Sequence, residues 1–271
     1  MDKRFHFFRS FAIVLGFLLT IKGGYAQTAD DDDFTPYSGQ GGKDVVWVPT
    51  PQQLVDAMLD MAKVTSADFV IDLGSGDGRL VITAAKRGAK ALGIEYNPNM
   101  VDIARRAAKE EGMSERASFI NADLFESDFS DATVLTLFLL SSLNLKLRPI
   151  ILDMKPGTRI VSNTFDMDDW KPDQTKHIKE SDSNWDTALL WIVPAKVDGK
   201  WKLVDGHINF TQEFQNITGT ITVGNKEMLL TGKLEGNKIS FNAEGVNYTG
   251  TVSGDTISGT RSKGGSWKAT R

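Results

Sequence analysis

The stretch DLGSGDGRLVITAA, residues 72–85, places three glycines within five positions directly after the apolar run at 69–71. Glycine inside a packed element reduces stability, so this density indicates either a backbone with positive φ or the close approach of a ligand. Apolar residues resume at helical spacing immediately afterwards, which predicts a strand, a glycine turn and a helix. The free N–H groups and partial positive charge of a helix N-terminus suit an anionic ligand group.

Predicted helices and strands alternate on both sides of this stretch, from residue 50 to about residue 193. The helices begin with a capping box at Thr50–Gln53, and further helical patterns follow at 78–88, 98–112 and 143–154. Strand patterns lie at 69–73, 91–95, 117–121, 132–138 and 158–162, and a last pair lies at 176–180 and 187–193. This alternation predicts a parallel sheet with helices on both faces. The last pair has no helix between its members and is predicted to be an antiparallel hairpin.

The pattern changes near residue 196, where apolar residues begin to alternate with polar ones. Ile208, Phe210 and Phe214 alternate in this way, and later segments continue the pattern. Turn signals containing glycine separate the segments at 224–225, 235–237, 253–255 and 262–265. Strands about ten residues apart and joined by tight turns predict a small antiparallel barrel or sandwich.

The N-terminus has the pattern of a cleaved secretory signal. Lys3, Arg4 and Arg9 precede an uncharged apolar run at 11–21, and small residues follow at the end of the segment 1–26. The apolar run is shorter than the roughly 20 residues of a membrane-spanning helix. We therefore expect a bacterial protein that is exported to the periplasm or secreted, without stable membrane insertion after cleavage. A buried N-terminal helix is the alternative.

Charge and composition exclude several functional classes. The chain has no cysteine, so thiol catalysis, disulfides and cysteine-ligated zinc are excluded, and its three histidines lie far apart in sequence. No metal site is expected. Without residues 1–26 the chain has 27 Lys and Arg against 34 Asp and Glu, a net charge of −7. No basic stretch of five or more occurs, so we expect no nucleic-acid partner. Residues 27–44 are predicted to be an acidic flexible segment.

An acidic residue follows the glycines at the end of the second predicted strand. Glu95 lies about twenty residues on, where an acid binds a ribose diol in nucleotide-binding folds. The dinucleotide fingerprint requires a glycine at position 79, which is Arg79. The observed spacing is instead Gly74, Gly76 and Gly78, preceded by Asp72. Together with Glu95, this spacing resembles motif I and the second-strand acid of class I S-adenosylmethionine-dependent methyltransferases.

Four segments carry the resemblance in the order and spacing of one methyltransferase subgroup. They are VPTP at 48–51, DLGSGDGR at 72–79, GIEYNP at 93–98 and KPGTRIVS at 155–162. The subgroup includes bacterial secreted methyltransferase-like proteins and mitochondrial lysine methyltransferases. The resemblance implies an α/β fold for residues 45–195, a Rossmann-like seven-stranded methyltransferase sheet with helices on both faces. Residues 196–271 would then form a small antiparallel all-β domain.

The resemblance also implies which residues bind S-adenosylmethionine. Gly74, Ser75 and Gly76 would line the methionine moiety, and Asp72 would support its amino group directly or through water. Glu95 would accept hydrogen bonds from the ribose hydroxyls, and Asp123, at the end of the third strand, would accept one from the adenine amine. Without a ligand, the glycines would form a stabilising turn, Glu95 would be a solvated strand end and Asp123 a helix cap.

Methyl acceptors are expected at the carboxyl ends of the fourth and fifth strands, at 139–144 and 163–170. Phe165 and Trp170 could form a wall of the acceptor pocket there or belong to the core. No residue qualifies as a general base, so no catalytic residue is assigned.

Two functions remain open at this level. The first is an S-adenosylmethionine-dependent methyltransferase of the EC 2.1.1 class, with a protein lysine or another amine as acceptor. The second is an exported, non-catalytic binding protein in which the methyltransferase scaffold is retained and the β domain binds a partner or ligand. The second hypothesis arises because an exported protein leaves the compartment where S-adenosylmethionine is made. Glu95 beside three glycines favours the enzyme, since a scaffold without ligand does not need that arrangement.

The signal pattern makes a direct prediction about the mature protein. Cleavage after the small residues at 24–26 would leave Gln27 as the first residue. We expect mass spectrometry of the protein from its native host to find this terminus in a periplasmic or secreted fraction. Recovery of residues 1–26 on a cytosolic form would contradict export.

Overall fold

The computed structural model describes residues 34–178 and 185–271. The predicted signal peptide and the first residues after it lie outside this range. Residues 36–271 form one compact unit. This unit contains a mixed sheet with four helices, followed by an antiparallel barrel.

The mixed sheet has seven strands in the order expected from the sequence resemblance. They are β1 (Phe69–Leu73), β2 (Lys90–Glu95), β3 (Ala117–Asn121), β4 (Val134–Leu137), β5 (Arg159–Asn163), β6 (Gln174–His177) and β7 (Thr187–Ile192). Their order across the sheet is β3-β2-β1-β4-β5-β7-β6. The first five strands are parallel, whereas β7 runs antiparallel to both of its neighbours. The predicted parallel sheet with a terminal hairpin is confirmed, and β6 begins two residues before its predicted start.

Helices cover both faces of the sheet, because successive strand residues point to opposite sides. The helices are α1 (Gln52–Met61), α2 (Arg79–Lys86), α3 (Pro98–Glu110) and α4 (Ser141–Leu152). Val70 of β1 belongs to the core that α1, α2 and α3 close. Its neighbours Ile71 and Leu73 belong to the opposite core, which includes α4 and Trp191. Within the described residues, no helix is long and apolar enough to span a membrane.

The starts of α1 and α3 differ in how they are capped. Asn97 caps α3, because its side-chain oxygen accepts a hydrogen bond from the N–H of Asn99 at 3.0 Å. The capping box at Thr50–Gln53 is wrong. Pro51 precedes the first helical residue and no side chain caps α1. The Thr50 hydroxyl instead accepts a hydrogen bond from the Asn163 amide at 3.3 Å, which ties the start of α1 to the end of β5.

The C-terminal strands close into an eight-stranded antiparallel barrel. They are β8 (Gly199–Leu203), β9 (Gly206–Glu213), β10 (Asn216–Val223), β11 (Lys226–Glu235), β12 (Lys238–Ala243), β13 (Val246–Ser253), β14 (Thr256–Arg261) and β15 (Ser266–Thr270). Neighbouring strands in sequence pair with one another, and β15 closes the barrel on β8. Alternate residues fill the interior, where the aromatic rings of Phe210, Phe241, Tyr248 and Trp267 pack together. Of the two predicted alternatives, the barrel is the one observed.

One residue of the predicted alternation does not face the barrel interior. Phe214 lies in the two-residue turn between β9 and β10, with φ +53°, and not within a strand. Its ring packs outward against the apolar core that includes α4, and it stacks on Trp170. The prediction that Phe214 continues the alternation of Ile208 and Phe210 is therefore wrong.

Candidate active site

A cavity opens at the carboxyl ends of β1, β2 and β4. Six residues are expected to bind the cofactor, and all of them except Gly76 line this cavity. The five that line it are Asp72, Gly74, Ser75, Glu95 and Asp123. Parallel strands place their carboxyl ends along one edge of a sheet, so side chains far apart in sequence meet there. The cavity volume is about 110 Å³. Pockets for small ligands usually measure roughly 300–1,000 Å³, so this cavity is narrow.

The three glycines of the opening stretch have different reasons for being glycine. All three have positive φ, at +80°, +53° and +80° for Gly74, Gly76 and Gly78. Only Gly74 is exposed toward the cavity. A Cβ on Gly76 would lie 2.3 Å from the indole nitrogen of Trp47, and one on Gly78 would lie 2.7 Å from the ring of Phe119. Trp47 covers Gly76, so Gly76 is outside the cavity wall in this structure, and its contact with the cofactor stays a prediction.

Glu95 joins the glycine loop to the start of α3, with one carboxylate oxygen on each. Oε2 accepts a hydrogen bond from the N–H of Gly76 at 2.9 Å, and Oε1 accepts one from the N–H of Asn97 at 2.8 Å. Each carboxylate oxygen can accept a second hydrogen bond, so acceptor capacity remains for a ribose diol. The carboxylate is therefore not merely a solvated strand end: it joins two loops and still faces the cavity.

Asp72 is a buried carboxyl at the floor of the cavity. Burial raises the pKa of Asp72 to about 7, the hydrogen bond from Thr136 opposes this rise, and the negative charges of Glu95 and Asp77 add to it. The Thr136 hydroxyl donates to Oδ1 of Asp72 at 2.7 Å. A cationic ligand group would favour the ionised carboxyl, which fits the expected interaction with an amino group.

The segment 36–50, called the strap here, folds over the cavity. The backbones of Gln40 and Trp47 pair in a short antiparallel bridge, and the Gln40 amide reaches the sulfur of Met100 at 3.3 Å. Trp47 covers the glycine loop, as described above. Much of the strap precedes residue 45, where the methyltransferase domain is predicted to begin. The site therefore includes residues 40–44, which belong to the segment 27–44 that composition alone predicts to be acidic and flexible.

Asp123 is engaged by the strap at the end of the cavity expected to hold adenine. The Lys43 ammonium donates to Oδ2 of Asp123, and Oδ1 accepts from the N–H of Phe125 at 2.9 Å. The hydrogen bond from Lys43 is the main cause that holds the pKa of Asp123 below its usual value. No helix begins at Asp123, so it is not a helix cap. An adenine amine would have to displace or share the Lys43 contact.

Ser75 lines the cavity and carries a buried hydroxyl that packs beside Gly93. Its Oγ is buried and has no hydrogen-bond partner among the described residues. A buried hydroxyl without a partner costs free energy, which a hydrogen bond from a ligand or water recovers. Gly93 makes room for this hydroxyl, because a Cβ there would lie 2.4 Å from it. The residues present therefore fit a ligand that carries polar groups close to the glycine loop.

Three aromatic rings form a cluster beside the cavity, at the acceptor side expected from the sequence. Phe138 follows β4 and lines the cavity, Phe165 follows β5, and Trp185 precedes β7. Their ring centroids lie 5.3–6.1 Å apart, and all three rings are half-buried. Phe165 thus lies at the acceptor side, which agrees with a wall of the acceptor pocket and not with the core, the other alternative. Trp170 does not, because it is fully buried between Trp191 and Phe214.

The loop that carries Phe165 is tied to the start of α4. The amide of Asn144 donates to the backbone oxygen of Phe165 at 3.0 Å, and the hydroxyl of Ser141 donates to Asp166 at 3.2 Å. Both expected acceptor segments therefore meet in the structure. Among residues 34–178 and 185–271, no group of three or more His, Asp or Glu could hold a metal ion.

Comparisons with known proteins agree with this geometry. The family model of the ANTKMT methyltransferase domain matches residues 72–174. A protein-lysine N-methyltransferase of Saccharolobus islandicus is 41% identical over 152 residues, which are 55% of this chain and 94% of that protein. The chain belongs to the class I S-adenosylmethionine-dependent methyltransferases. The methyltransferase is also 32% identical to a Homo sapiens lysine N-methyltransferase named after ATP synthase, over 161 residues, 58% of this chain and 69% of that protein.

A solved structure supports the same assignment of fold and cofactor. An RNA methyltransferase from Salinibacter ruber, crystallised with S-adenosyl-L-homocysteine, is 47% identical, with a TM-score of 0.52. The similarity covers 55% of this chain and 96% of that one. S-adenosylmethionine is the cofactor of this methyltransferase family, and the unpaired Ser75 hydroxyl, Asp72 and Glu95 provide groups that can bind it.

Glu95→Ala should weaken S-adenosylmethionine binding roughly tenfold to a hundredfold, because a hydrogen bond to a charged group contributes about 1.5–3 kcal/mol. It should also lower the free energy of unfolding by about 1–3 kcal/mol, since two N–H groups lose their acceptor. Glu95→Gln retains one acceptor oxygen, so its losses of cofactor affinity and of unfolding free energy should both be smaller. Titration calorimetry and thermal unfolding measure the two effects. Unchanged cofactor affinity in both variants would remove Glu95 from the binding site.

Asp72 should make both stability and cofactor binding depend on pH. Its pKa is about 7 in the folded protein and near 3.8 when unfolded, so between these values the folded state holds the extra proton. The contribution of Asp72 to stability is therefore greatest below pH 4 and falls as pH rises toward 7. Affinity for a cationic ligand should rise over pH 6–8. Asp72→Asn keeps the acceptor for Thr136, so chemical denaturation and titration at each pH should show both dependences reduced in this variant. Identical pH profiles would contradict the assignment.

Proposed function

We propose that the methyltransferase transfers methyl groups to lysine side chains of proteins. Two relatives named as lysine N-methyltransferases support this acceptor, and the acceptor side of the cavity has matching chemistry. The observation that carries the proposal is the aromatic cluster of Phe138, Phe165 and Trp185 together with the carboxylates that follow it in the β5–β6 loop.

The aromatic cluster suits an amine that must lose a proton before it reacts. A lysine ammonium that enters between half-buried rings loses water, and full burial lowers a lysine pKa by as much as 3–5 units. Attraction between a cation and an aromatic ring opposes this effect by about 0.5–2 kcal/mol, equivalent to roughly one pKa unit. Desolvation is the larger effect, so the cluster favours the neutral nucleophile. The same rings attract the methylated ammonium product.

Charge around the cluster favours a basic protein segment over RNA. Stacking rings alone would accept an unstacked base equally well, since enzymes that act on bases hold them between aromatic side chains. The loop at 163–170, however, carries exposed Asp166, Asp168 and Asp169. Arg148 pairs with Asp169 and offsets part of this charge. RNA binding requires cationic side chains against its phosphates, so an acidic loop beside the acceptor opening disfavours it.

Catalysis in this arrangement is mainly a matter of position. S-adenosylmethionine, when bound, supplies a methyl group on a positively charged sulfur. Asp72, Ser75 and Glu95 hold the cofactor, while Phe138 and Phe165 exclude water from the acceptor side. No described side chain is placed as a general base, so we propose that the amine loses its proton before or during entry into the apolar opening.

The alternative of an exported, non-catalytic binding protein receives no support from the comparisons. Export itself remains our proposal, based on the signal pattern of residues 1–26 alone. Cleavage of residues 1–26 would leave the cofactor site complete, because the strap begins at residue 36 and includes none of the cleaved residues.

The acceptor is tested with the full mature chain and S-adenosylmethionine labelled in its methyl group. Histones and poly-L-lysine serve as lysine acceptors, and total RNA serves as a separate arm. We expect label in protein, recovered as methyl-lysine after hydrolysis. Phe165→Ala should lower kcat/KM for histones roughly fivefold to thirtyfold, from the loss of about 1–2 kcal/mol of ring contacts, with cofactor affinity unchanged.

The control variant is Leu229→Ala, which removes an exposed apolar side chain of the barrel far from the cluster in sequence. It should leave all parameters unchanged. Label in RNA but in neither lysine acceptor would contradict the proposal and favour a nucleic-acid substrate.

A further inference from the structure

We propose that the C-terminal barrel positions the acceptor loop of the methyltransferase through one turn, the β9–β10 turn at Phe214 and Gln215. The acceptor loop is defined as residues 163–170, which run from the last residue of β5 toward β6. This gives the barrel a role in substrate use. The proposal rests on the proposed function in one respect, namely that the acceptor loop contacts the methyl acceptor.

The ring of Phe214 is held on two sides by residues next to the acceptor loop or within it. It stacks on Trp170, the last residue of the loop, with centroids 5.9 Å apart and an interplanar angle of 15°. The guanidinium of Arg148 lies over the ring at 5.5 Å from its centroid. Arg148 also donates to the backbone oxygen of Met167 at 2.9 Å. Phe214 therefore bridges α4 and the acceptor loop.

Gln215 extends the contact to the residue that follows the loop. Its side-chain amide donates to the backbone oxygen of Lys171 at 2.9 Å, and its own backbone oxygen accepts from the N–H of Leu234 at 2.7 Å. Gln215 is only 4% exposed. The turn is thus anchored in the barrel on one side and bound to the loop on the other.

The backbone of the turn is in a conformation that is unfavourable for Phe214, so its side-chain contacts must stabilise it. Phe214 has φ +53°, and in two-residue hairpin turns the position with positive φ is usually glycine. A left-handed conformation is unfavourable for a residue with a Cβ, because the Cβ approaches the following carbonyl oxygen. Nothing inside the barrel offsets this cost, because the ring points away from the interior. The contacts with Trp170 and Arg148 are what offset it.

A displacement of Trp170 would reach the aromatic cluster, because the acceptor loop is short and tightly bonded. Thr164 and Asp168 have φ of +60° and +59°, conformations that persist only when the surroundings impose them. Phe165 lies between them, and its backbone oxygen accepts from Ser162 at 2.7 Å. The loop therefore has few ways to absorb a shift at Trp170 without moving Phe165 or Asp166.

The decisive variant is Phe214→Gly in the full chain. Glycine relieves the backbone strain, so the barrel should remain folded while the loop loses its contact. Glu244→Gly is the matched control, because Glu244 is an exposed residue with φ +44° in the β12–β13 turn. Three measurements are made on each: hydrogen exchange of peptides covering 163–172, methyl transfer to histones, and affinity for S-adenosylmethionine.

Phe214→Gly should accelerate exchange in residues 163–172 and raise KM for histones about fivefold to fiftyfold, with the Kd for S-adenosylmethionine unchanged. Phe214→Tyr should restore wild-type values, and Glu244→Gly should match wild type throughout. If Phe214→Gly unfolds the barrel, Phe214→Leu retains bulk but loses the ring contacts and takes its place. Wild-type exchange in the loop, or equal losses in histone KM and cofactor Kd, would overturn the proposal. Faster exchange with no lysine methylation by any variant would support the contact and contradict the lysine acceptor.

Discussion

The carboxylate of Glu95 is the interaction on which the site depends. One oxygen binds the glycine loop at Gly76 and the other binds the start of α3 at Asn97. Without it, the two loops at the ends of β1 and β2 would each have an N–H group with no acceptor. The same carboxylate faces the cavity where a ribose diol is expected. A single side chain thus serves both folding and binding, so a substitution there changes the shape of the cavity and its contacts together.

Much of the sheet was predictable because its signals are local. Each strand is a short apolar run, each helix repeats its apolar residues at helical spacing, and the glycine loop marks the turn between β1 and α2. The position of Glu95, Asp72 and Asp123 at the cavity was predictable for the same reason, since each lies at the end of a strand or just after it, whereas their roles toward the cofactor follow from the family resemblance. The residues that bind to these carboxyl groups were not predictable. Thr136 and Lys43 come from other parts of the chain, and neither position has a pattern that indicates its contact.

The errors have a common physical cause, which is contact over a long sequence separation. When only the segment after β5 is considered, Phe165 and Trp170 are equally suited to form a wall of the acceptor pocket. Phe214, which buries Trp170, lies in a segment whose alternation predicts a strand. The residues Glu213–Asn216 contain no glycine or proline, so nothing marks a turn. Likewise, the contact between Gly76 and Trp47 of the strap joins residues far apart in sequence and has no local signal.

Closure of the barrel imposes an order on how this molecule is completed during synthesis. The pairing that seals it joins Thr270 of β15 to Lys202 of β8, so the first and last strands of the barrel meet. The mixed sheet has all its strands by Ile192, whereas the barrel has two open edges until its final strand emerges. Unpaired strand edges invite association with other chains. A chain cut between β14 and β15 would therefore keep its cofactor cavity beside an opened barrel, whose unpaired strand edges favour aggregation.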